Sequence, residues 1–555
     1  MAGAAARTGR LVKPVLAMLA LVTVPLPLLG SSFWAILEGL SSTGWQALWA
    51  DPQTGAALAL SLFSGLGATA LSLGLAAWLL SHSFARPFWV RVVNSLAPLL
   101  AVPHAAFAIG WVLLLAPSGW LLRALSPWAT GHAAPPPWPT TQDPWGVGLT
   151  IVLVAKELPF LLWAAATQLQ RADVANDWTR QWQLARSMGY TPSAAWWRIV
   201  WPQLGRRLAL PALAVLAYNL TVVDVALIIG PTSPPTLAVL AWQWLIDADP
   251  LRNAQGAAAA WLLASVVALI AWFAWQLSRL DYWKQRRTSG HGAQLQLGGM
   301  QSYRAAPACW LALLLLYAGV MLALIMGSVS GVWPFPDLVP SDWTWQAWAS
   351  VLASTDTLGN TLGLGLLSSL AAWMWAIVWL ECAPPTWDRR LQALINLPLV
   401  LPSVLWVVGM HALALRWQLD ASLAGVALSH TLVAAPYVLL VLRPAYAGFD
   451  PRLRQISASM GHGDALFLWR VKWPLLRSAL AYSLAVGFAV SVAQYLPTLF
   501  IGAGRINTLT TEAVTQAAGA QRSLASAYAW LQWLLPVLGF ALASRIGQSR
   551  RWRHR

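Results

Sequence analysis

Charged residues are scarce in this sequence of 555 residues. Only 10% of the residues are Asp, Glu, Lys or Arg, whereas 58% are apolar. A soluble domain carries about 25% charged residues, and a disordered chain has low hydrophobicity, so both classes are excluded. The two cysteines, Cys309 and Cys382, are too few for a secreted disulfide scaffold. The class that remains is a polytopic membrane protein.

Apolar segments long enough to cross a bilayer are abundant. A spanning helix needs roughly 20 apolar residues, and such windows predict an all-α fold with about twelve transmembrane helices. The first window follows three basic residues, as a signal peptide would, but it continues through Trp34 without a small-residue cleavage site, so we expect a retained helix. The predicted spans are 11–33, 56–81, 94–117, 147–169, 208–230, 257–278, 307–330, 358–381, 393–415, 421–442, 478–501 and 524–544.

The basic residues are distributed unevenly over the predicted loops. If the N-terminus is cytoplasmic, 29 of the 35 Lys and Arg residues fall in cytoplasmic segments and five fall in extracytoplasmic loops. The positive-inside rule therefore predicts that both termini are cytoplasmic. A basic linker at 279–306, also cytoplasmic, divides the spans six and six. This placement accounts for the net charge of +16 without a nucleic-acid partner.

A duplication relates the two predicted six-span units, residues 1–278 and 307–555. The segment QLARSMGYTPSAAWWRIVWPQL begins at Gln183, and QISASMGHGDALFLWRVKWPLL begins at Gln455. The offset of 272 holds throughout without a gap. Because each unit has an even number of spans, both have the same orientation, and parallel repeats of this kind predict a pathway between the units.

The duplicated segments lie in two basic loops, 170–207 and 443–477, which we call the matched loops. Gly189 and Gly461 allow a sharp turn between two short helices in each loop. One interpretation is a pair of amphipathic helices that rest on the membrane surface. The duplication favours a second interpretation, in which two equivalent elements contact a partner with two-fold symmetry.

The matched loops resemble the EAA signature of permeases in binding-protein-dependent ABC importers. The spacing between glycine and proline is kept, from Gly189 to Pro202 and from Gly461 to Pro474. Glutamine stands where the signature has glutamate in both loops. Two signatures in one chain look like the fused permeases of the ferric-iron and thiamine importer branch, and the flanking stretches look closest to YnjC-like permeases.

The resemblance implies a type I ABC importer permease fold in the bacterial cytoplasmic membrane, with the matched loops docked on two cytoplasmic ATPase subunits. An extracytoplasmic binding protein would deliver the substrate, a thiamine-like organic cation or ferric iron. The ATPase subunits would use ATP–Mg, and this chain would bind no cofactor. The residues implied in ATPase coupling are Gln183, Ala185, Ser187, Met188, Gly189, Pro202, Gln455, Ser457, Ser459, Met460, Gly461 and Pro474.

Motifs for catalysis and for nucleotide or metal binding are missing. None of the four lysines follows a glycine, so the chain has no P-loop, and it has no His-Glu-x-x-His, Cys-x-x-Cys or G-x-S-x-G pattern. We therefore expect a transport subunit and no enzyme, with energy supplied by a partner or by an ion gradient. A secondary transporter with six plus six helices is the alternative, although HSFARPFWVR between spans two and three lacks the pattern of the major facilitator class.

Polar residues inside the predicted spans are candidates for the substrate pathway, because ionisable groups at membrane depth are costly. The offset of 272 pairs Asp224 with Leu496, so this carboxylate breaks the symmetry of the duplication. It could bind an organic cation together with aromatic faces, and packing or hydrogen bonding is the alternative. The pathway candidates are Asp224, Asn219, Lys156, Glu157, Gln494 and Tyr495.

Overall fold

The computed structural model describes residues 2–169, 172–279 and 302–548, so most of the predicted linker lies outside the described residues. We call residues 2–279 the N-terminal half and residues 302–548 the C-terminal half. The described residues form helices and no strand; one antiparallel bridge joins Ser330 and Trp343.

The helices of the N-terminal half are α1 (Ala2–Thr23), α2 (Pro25–Gly39), α3 (Ser42–Ala50), α4 (Thr54–Ser83), α5 (Pro87–Leu100), α6 (His104–Leu115), α7 (Trp120–Leu125), α8 (Val147–Leu169), α9 (Ala172–Ser187), α10 (Pro192–Ala195), α11 (Trp201–Arg207), α12 (Ala209–Thr221), α13 (Asp224–Ile229), α14 (Leu237–Leu245) and α15 (Pro250–Arg279). A π-helical turn, Trp196–Val200, joins α10 to α11.

The helices of the C-terminal half are α16 (Ser302–Ser328), α17 (Gln346–Ala353), α18 (Thr355–Cys382), α19 (Pro385–Ile395), α20 (Leu397–Val400), α21 (Ser403–Arg416), α22 (Leu423–Ala447), α23 (Arg452–Ser459), α24 (Asp464–Phe467), α25 (Trp473–Val492), α26 (Leu496–Gly502), α27 (Leu509–Ala518) and α28 (Arg522–Gln548). The π-helical turn of this half is Leu468–Lys472, between α24 and α25.

Ten helical segments in the described ranges are long and apolar enough to cross a bilayer, and they correspond to ten of the twelve predicted spans. The third, fifth, ninth and eleventh predicted spans need correction, because none of them is one continuous helix. The third is interrupted between α5 and α6, and the eleventh between α25 and α26. The fifth is divided into α12 and α13. In the ninth, Ser403–Arg416 is bent by 107° from the preceding segment Pro385–Leu399. The fold is therefore polytopic and all-α, as predicted, with broken helices where the apolar windows indicated simple spans.

Proline accounts for two of the breaks. Pro103 and Pro402 have no amide hydrogen, and each disfavours helical backbone in the residue before it. Leu401 accordingly has an extended ψ of 140°, and new helices begin at His104 and Ser403. The break between α12 and α13 contains no proline; it falls at the β-branched residues Val222 and Val223, and α25 and α26 are interrupted at the corresponding place.

A broken helix leaves backbone carbonyls without their helical partners, which costs several kcal/mol per group in lipid. Polar side chains satisfy these carbonyls at three of the breaks, in both halves. The donors and acceptors are Lys156 Nζ to Val102 O, Ser403 Oγ to Thr221 O, and Thr510 Oγ1 to Val492 O.

The two halves exchange their first spans. Helix α1 packs on α18 of the other half, where Trp375 Nε1 donates to the Ala20 carbonyl at 2.9 Å. Helix α16 packs on α6 of the N-terminal half, where the rings of Phe107 and Tyr317 lie 4.6 Å apart. Because each half supplies a helix to the other, the halves form one intertwined unit.

Two glycines permit this exchange. Gly110 and Gly409 occupy the same position, the seventh residue, in α6 and α21. A Cβ on Gly110 would lie 2.8 Å from the Val320 carbonyl oxygen of α16, and one on Gly409 would lie 1.9 Å from the Ser31 carbonyl oxygen of α2. The backbones therefore approach too closely for any other residue, as at other small-residue contacts between membrane helices.

Candidate functional site

The matched loops have the same succession of elements. In each, a helix (α9 or α23) ends at a serine, a glycine turn follows, and a four-residue helix (α10 or α24) leads into the π-helical turn. The boundaries from that serine to the end of the π-helical turn are displaced by the sequence offset of 272. The shared sequence therefore specifies a shared backbone, including the uncommon π-helical turn.

Glycine is required at the turn by backbone conformation. Gly189 has φ +90° and Gly461 has φ +78°, in the region that glycine enters without steric cost. The amides of Tyr190 and His462 then donate to the carbonyls of Ala185 and Ser457, each at 3.1 Å. These bonds run back to the last helical turn, in the manner of a left-handed helix cap. Nothing lies within 4 Å of a Cβ built on either glycine, so space is not the reason for glycine here.

Each matched loop exposes a pair of large apolar side chains one helical turn apart. The exposed fractions are 56% for Leu184 and 77% for Met188, and 55% for Ile456 and 68% for Met460. These pairs correspond at the offset of 272, so the exposed apolar surface is duplicated. The sequence predicted Met188 and Met460 but missed Leu184 and Ile456, which the helical period of four from each methionine would have indicated.

The remaining coupling candidates differ in how far their side chains are buried. Ala185 and Ser457 are buried and support the loop from beneath. Pro202 and Pro474 lie in the first turn of α11 and α25, where proline is tolerated. Exposed candidates that surround the apolar pairs are Gln183, Ser187, Gly189, Gln455, Ser459 and Gly461.

A second polar site lies among the helix breaks, deep in the bundle. Glu157 Oε1 is 3.1 Å from His104 Nε2, and the His104 ring packs on Tyr218 with centroids 4.6 Å apart. The Glu157 side chain is only 7% exposed, whereas that of His104 is 36% exposed. Since His104 begins α6 inside a spanning segment, its exposure indicates an accessible space between the helices.

Lys156 faces away from this site. Its ammonium group donates to the Val102 carbonyl and lies 5.8 Å and 5.5 Å from the ring centroids of Phe107 and Tyr317. Neighbouring residues of a helix project about 100° apart, which is why Lys156 and Glu157 have different partners. The structure therefore places Lys156 as a cap on the broken helix and Glu157 at the polar site.

Asp224 is the first residue of α13 and is half-buried. Its carboxylate is within electrostatic range of His104 and of the hydroxyl groups of Tyr218 and Tyr495. Tyr495 belongs to the C-terminal half, so both halves contribute to the surroundings of this carboxylate. Among the described residues, Asp224 forms no ion pair at hydrogen-bond distance.

The other two pathway candidates make local contacts. Asn219 Nδ2 donates to Thr69 Oγ1 at 3.1 Å, while its Oδ1 has no hydrogen-bond partner in the described ranges. Gln494, in the interruption between α25 and α26, donates from Nε2 to the Val490 carbonyl of α25 at 3.0 Å. The structure thus brings together Glu157, Asp224 and Tyr495, and it adds His104 and Tyr218, which the sequence interpretation missed. A histidine directly after the proline of a spanning segment was the signal available for His104.

The C-terminal half has a neutral polar group near its own break. His430 is 1% exposed, with Nδ1 2.8 Å from Ser491 Oγ and Nε2 2.9 Å from Thr498 Oγ1. Both ring nitrogens are occupied by hydroxyl groups that flank the interruption between α25 and α26. Across the described ranges, no three His, Cys, Asp or Glu side chains are placed to hold one metal ion.

Comparison with known proteins places the chain among transport subunits. It is 34% identical over 526 residues to the inner membrane ABC transporter permease protein YnjC of Escherichia coli, covering 94% of each chain. It is also 28% identical over 211 residues to a probable molybdenum ABC transporter permease protein of Haloferax volcanii, covering 36% of this chain and 76% of that protein. No family model matches the sequence.

Proposed function

Because the chain belongs to the ABC transporter permeases, a multi-pass inner-membrane group of transport components, we propose that it is the permease of a binding-protein-dependent importer. Its type I fold consists of two parallel six-span repeats, 1–278 and 307–555, joined by the linker 279–306. Both termini and the matched loops face the cytoplasm. The substrate pathway runs between the two halves.

The observation that supports this proposal most directly is the duplicated exposed apolar pair, Leu184 with Met188 and Ile456 with Met460. Large apolar side chains repeated on a rigid turn are typical of a surface that a partner covers. A pair of such surfaces fits two copies of one partner. That partner is a cytoplasmic ATPase subunit, two copies of which bind ATP–Mg, while this chain binds no cofactor.

The fold suggests how the loops act on the pathway. Closure of the ATPase subunits moves the matched loops, and the two halves then rotate as packed bodies between inward-open and outward-open states. Because α1 and α16 are exchanged between the halves, each half pulls on the other when it moves. An extracytoplasmic binding protein releases its substrate into the outward-open state.

The cargo proposed from the resemblance is a thiamine-like organic cation or ferric iron. The pathway residues in this proposal are Asp224, Glu157 and Tyr495, which converge on the polar site. Lys156, Asn219 and Gln494 have backbone or interhelical partners, so we assign them to support of the pathway walls.

Co-purification with the cognate ATPase subunit tests the docking role. Met188→Asp combined with Met460→Asp places charge in both exposed apolar pairs, and we expect the ATPase to be lost from the purified complex. Both side chains are mostly exposed, so the permease should remain folded and monodisperse. Leu338→Asp, at an exposed apolar residue outside the matched loops, is the matched control and should retain the ATPase.

Full retention of the ATPase by the double methionine variant would contradict docking on the matched loops. Uptake into sealed vesicles provides the independent test of energy coupling. We expect uptake that requires ATP and the ATPase subunit, and uptake driven by a proton or sodium gradient alone would contradict an ATP-driven importer.

A further inference from the structure

We propose that Asp224, Glu157 and His104, together with tyrosines from both halves, form a recognition site for an organic cation. This inference rests on the proposed function, because it places the site in the pathway of the permease. It deepens that function by naming the chemical class of the cargo and by adding residues to the site.

The first argument is the state of Asp224. A carboxylate at membrane depth is expensive, and such groups are normally paired or face a water-filled cavity. Asp224 has no ion-pair partner at hydrogen-bond distance among the described residues, and its side chain is only half-buried. The Lys156 ammonium is directed to the Val102 carbonyl at the break before α6. In the part of the chain that the structure describes, Asp224 therefore has His104 within electrostatic range but no cationic group at ion-pair distance, and a passing cation would supply one.

The second argument is the arrangement of carboxylates and rings. His104 lies between the two acids, bonded to Glu157 and within electrostatic range of Asp224. Tyr218 is within electrostatic range of both carboxylates. Tyr495 is within electrostatic range of Asp224, and Tyr437 is within electrostatic range of Glu157. Tyr437 and Tyr495 belong to the C-terminal half, so each acid is within electrostatic range of a tyrosine that the other half contributes. A carboxylate next to aromatic faces is typical of sites for organic cations.

The third argument is access. Residues of both halves are accessible around the helix breaks. Ser403 and Ala493 are exposed. The half-buried residues are His104, Asp224, Tyr218 and Tyr437. Ser403 Oγ reaches the Thr221 carbonyl at 3.4 Å across the boundary between the halves. Accessible backbone breaks at membrane depth are tolerated where they line a cavity, which is where transporters bind substrates.

The geometry favours an extended cation over a chelated metal ion. In the described part of the chain, His104, Glu157 and Asp224 do not converge as a set of three metal ligands. Two carboxylates with tyrosines within electrostatic range of them suit a cation whose charge is spread over a ring or over alkyl groups.

Cysteine modification in the full chain, without the ATPase, tests the site. Cys309 and Cys382 are replaced by serine, and Ser403→Cys is introduced as a reporter, because Ser403 contacts the carbonyl of Thr221, three residues before Asp224. In nanodiscs, its modification rates are measured with a cationic trimethylammonium methanethiosulfonate and an anionic sulfonate methanethiosulfonate. We expect the cationic reagent to react about tenfold faster than the anionic one, corrected for their intrinsic rates.

Asp224→Asn should bring this ratio close to one, while Asp224→Glu should keep it. Asp356→Asn, at an exposed carboxylate in the first turn of α18, should leave the ratio unchanged. The proposal would be overturned if the ratio of cationic to anionic modification rates were near or below one in the protein that carries the Ser403→Cys reporter and an unchanged Asp224. It would also be overturned if Asp224→Asn did not change that ratio. Monodisperse elution of each variant shows that the comparison is made on folded protein.

Protection of the reporter then distinguishes the ligand classes. Tetraethylammonium and thiamine are added before the neutral reagent methyl methanethiosulfonate, and we expect at least one of them to slow modification severalfold. Protection by ferric nitrilotriacetate or by molybdate alone, or by none of these probes, would overturn an organic-cation site. Because no ATPase is present, failure here leaves the docking test intact, and failure of docking leaves this test intact.

Discussion

The two halves share a backbone but use different chemistry to support it. In the matched loop of the N-terminal half, arginines stack on aromatic rings: Arg186 on Trp182, Arg198 on Tyr190 and Arg207 on Trp178, at 5.3–5.7 Å. Around the matched loop of the C-terminal half, carboxylates pair with basic groups: Asp464 with Lys13 and Arg454, Asp388 with Arg443, and Glu381 with Lys472, at 2.7–2.9 Å.

At the helix breaks the halves differ in the opposite sense, because there the N-terminal half carries the ionisable groups. The N-terminal half places His104 and Asp224 where the C-terminal half has Ser403 and Leu496. The C-terminal half has instead a neutral hydroxyl–imidazole–hydroxyl group centred on His430. The duplication has therefore kept the glycines, prolines and breaks that backbone geometry requires, while the ionisable groups at membrane depth are concentrated in one half.

The largest expected difference between the halves concerns these buried groups. Lys156→Met removes an ammonium that caps a broken helix and leaves the neighbouring Glu157 without that positive charge. Breaking a buried charge arrangement costs about 3–5 kcal/mol, so we expect a strong loss of thermal stability in detergent or nanodiscs. His430→Leu removes two neutral hydrogen bonds and should cost about 1 kcal/mol, as interhelical bonds in membranes do.

The double variant Lys156→Met with Glu157→Gln is the control for the charge argument. It removes both charges and should recover part of the stability lost by Lys156→Met. Equal destabilisation by Lys156→Met and His430→Leu, measured as melting temperature, would argue against a charged core confined to the N-terminal half.

The exchanged spans give an intermediate effect. Gly409→Ala places a Cβ 1.9 Å from a backbone oxygen, whereas Gly110→Ala places one 2.8 Å from a backbone oxygen and 2.6 Å from a Val320 methyl group. Overpacking costs about 1–3 kcal/mol, and we expect Gly409→Ala at the upper end and Gly110→Ala at the lower end. Gly359→Ala, where nothing lies within 4 Å of the new Cβ, is the control. A larger loss of melting temperature for Gly110→Ala than for Gly409→Ala would show that the exchanged spans are not packed as described.

The smallest effect is expected at the surface of the matched loops. Asp464→Asn removes the acid that holds both Lys13 and Arg454, at exposed positions. Exposed ion pairs contribute at most about 1 kcal/mol and are screened by salt. We expect a small loss of melting temperature in dilute salt that disappears in about 1 M salt. Arg198→Gln in the other loop disrupts a stacking contact, and its effect should change less with salt.

The sequence predicted the architecture more fully than the site. Apolar runs and the distribution of basic residues indicated a polytopic helical protein, and the offset of 272 indicated two equivalent turns, because these features are local or repeat along the chain. The interruption at Val222 and Val223 was missed, because no proline or glycine marks it. The helical period placed Leu184 and Ile456 on the same face as the two methionines, but only the packed structure shows that this face is exposed.

The sequence by itself determined the class of the protein, most of its spans, its duplicated glycine turns and, through resemblance, its family. Hydrophobicity, charge and φ restrictions act residue by residue, so they can be read directly from the chain. Only the tertiary structure decided that Lys156 caps a broken helix while its neighbour Glu157 contacts His104, and that Asp224 lies within electrostatic range of tyrosines from both halves. Those relationships depend on which distant helices cross at a break, because the free energy of a charge in a membrane is set by the groups packed around it.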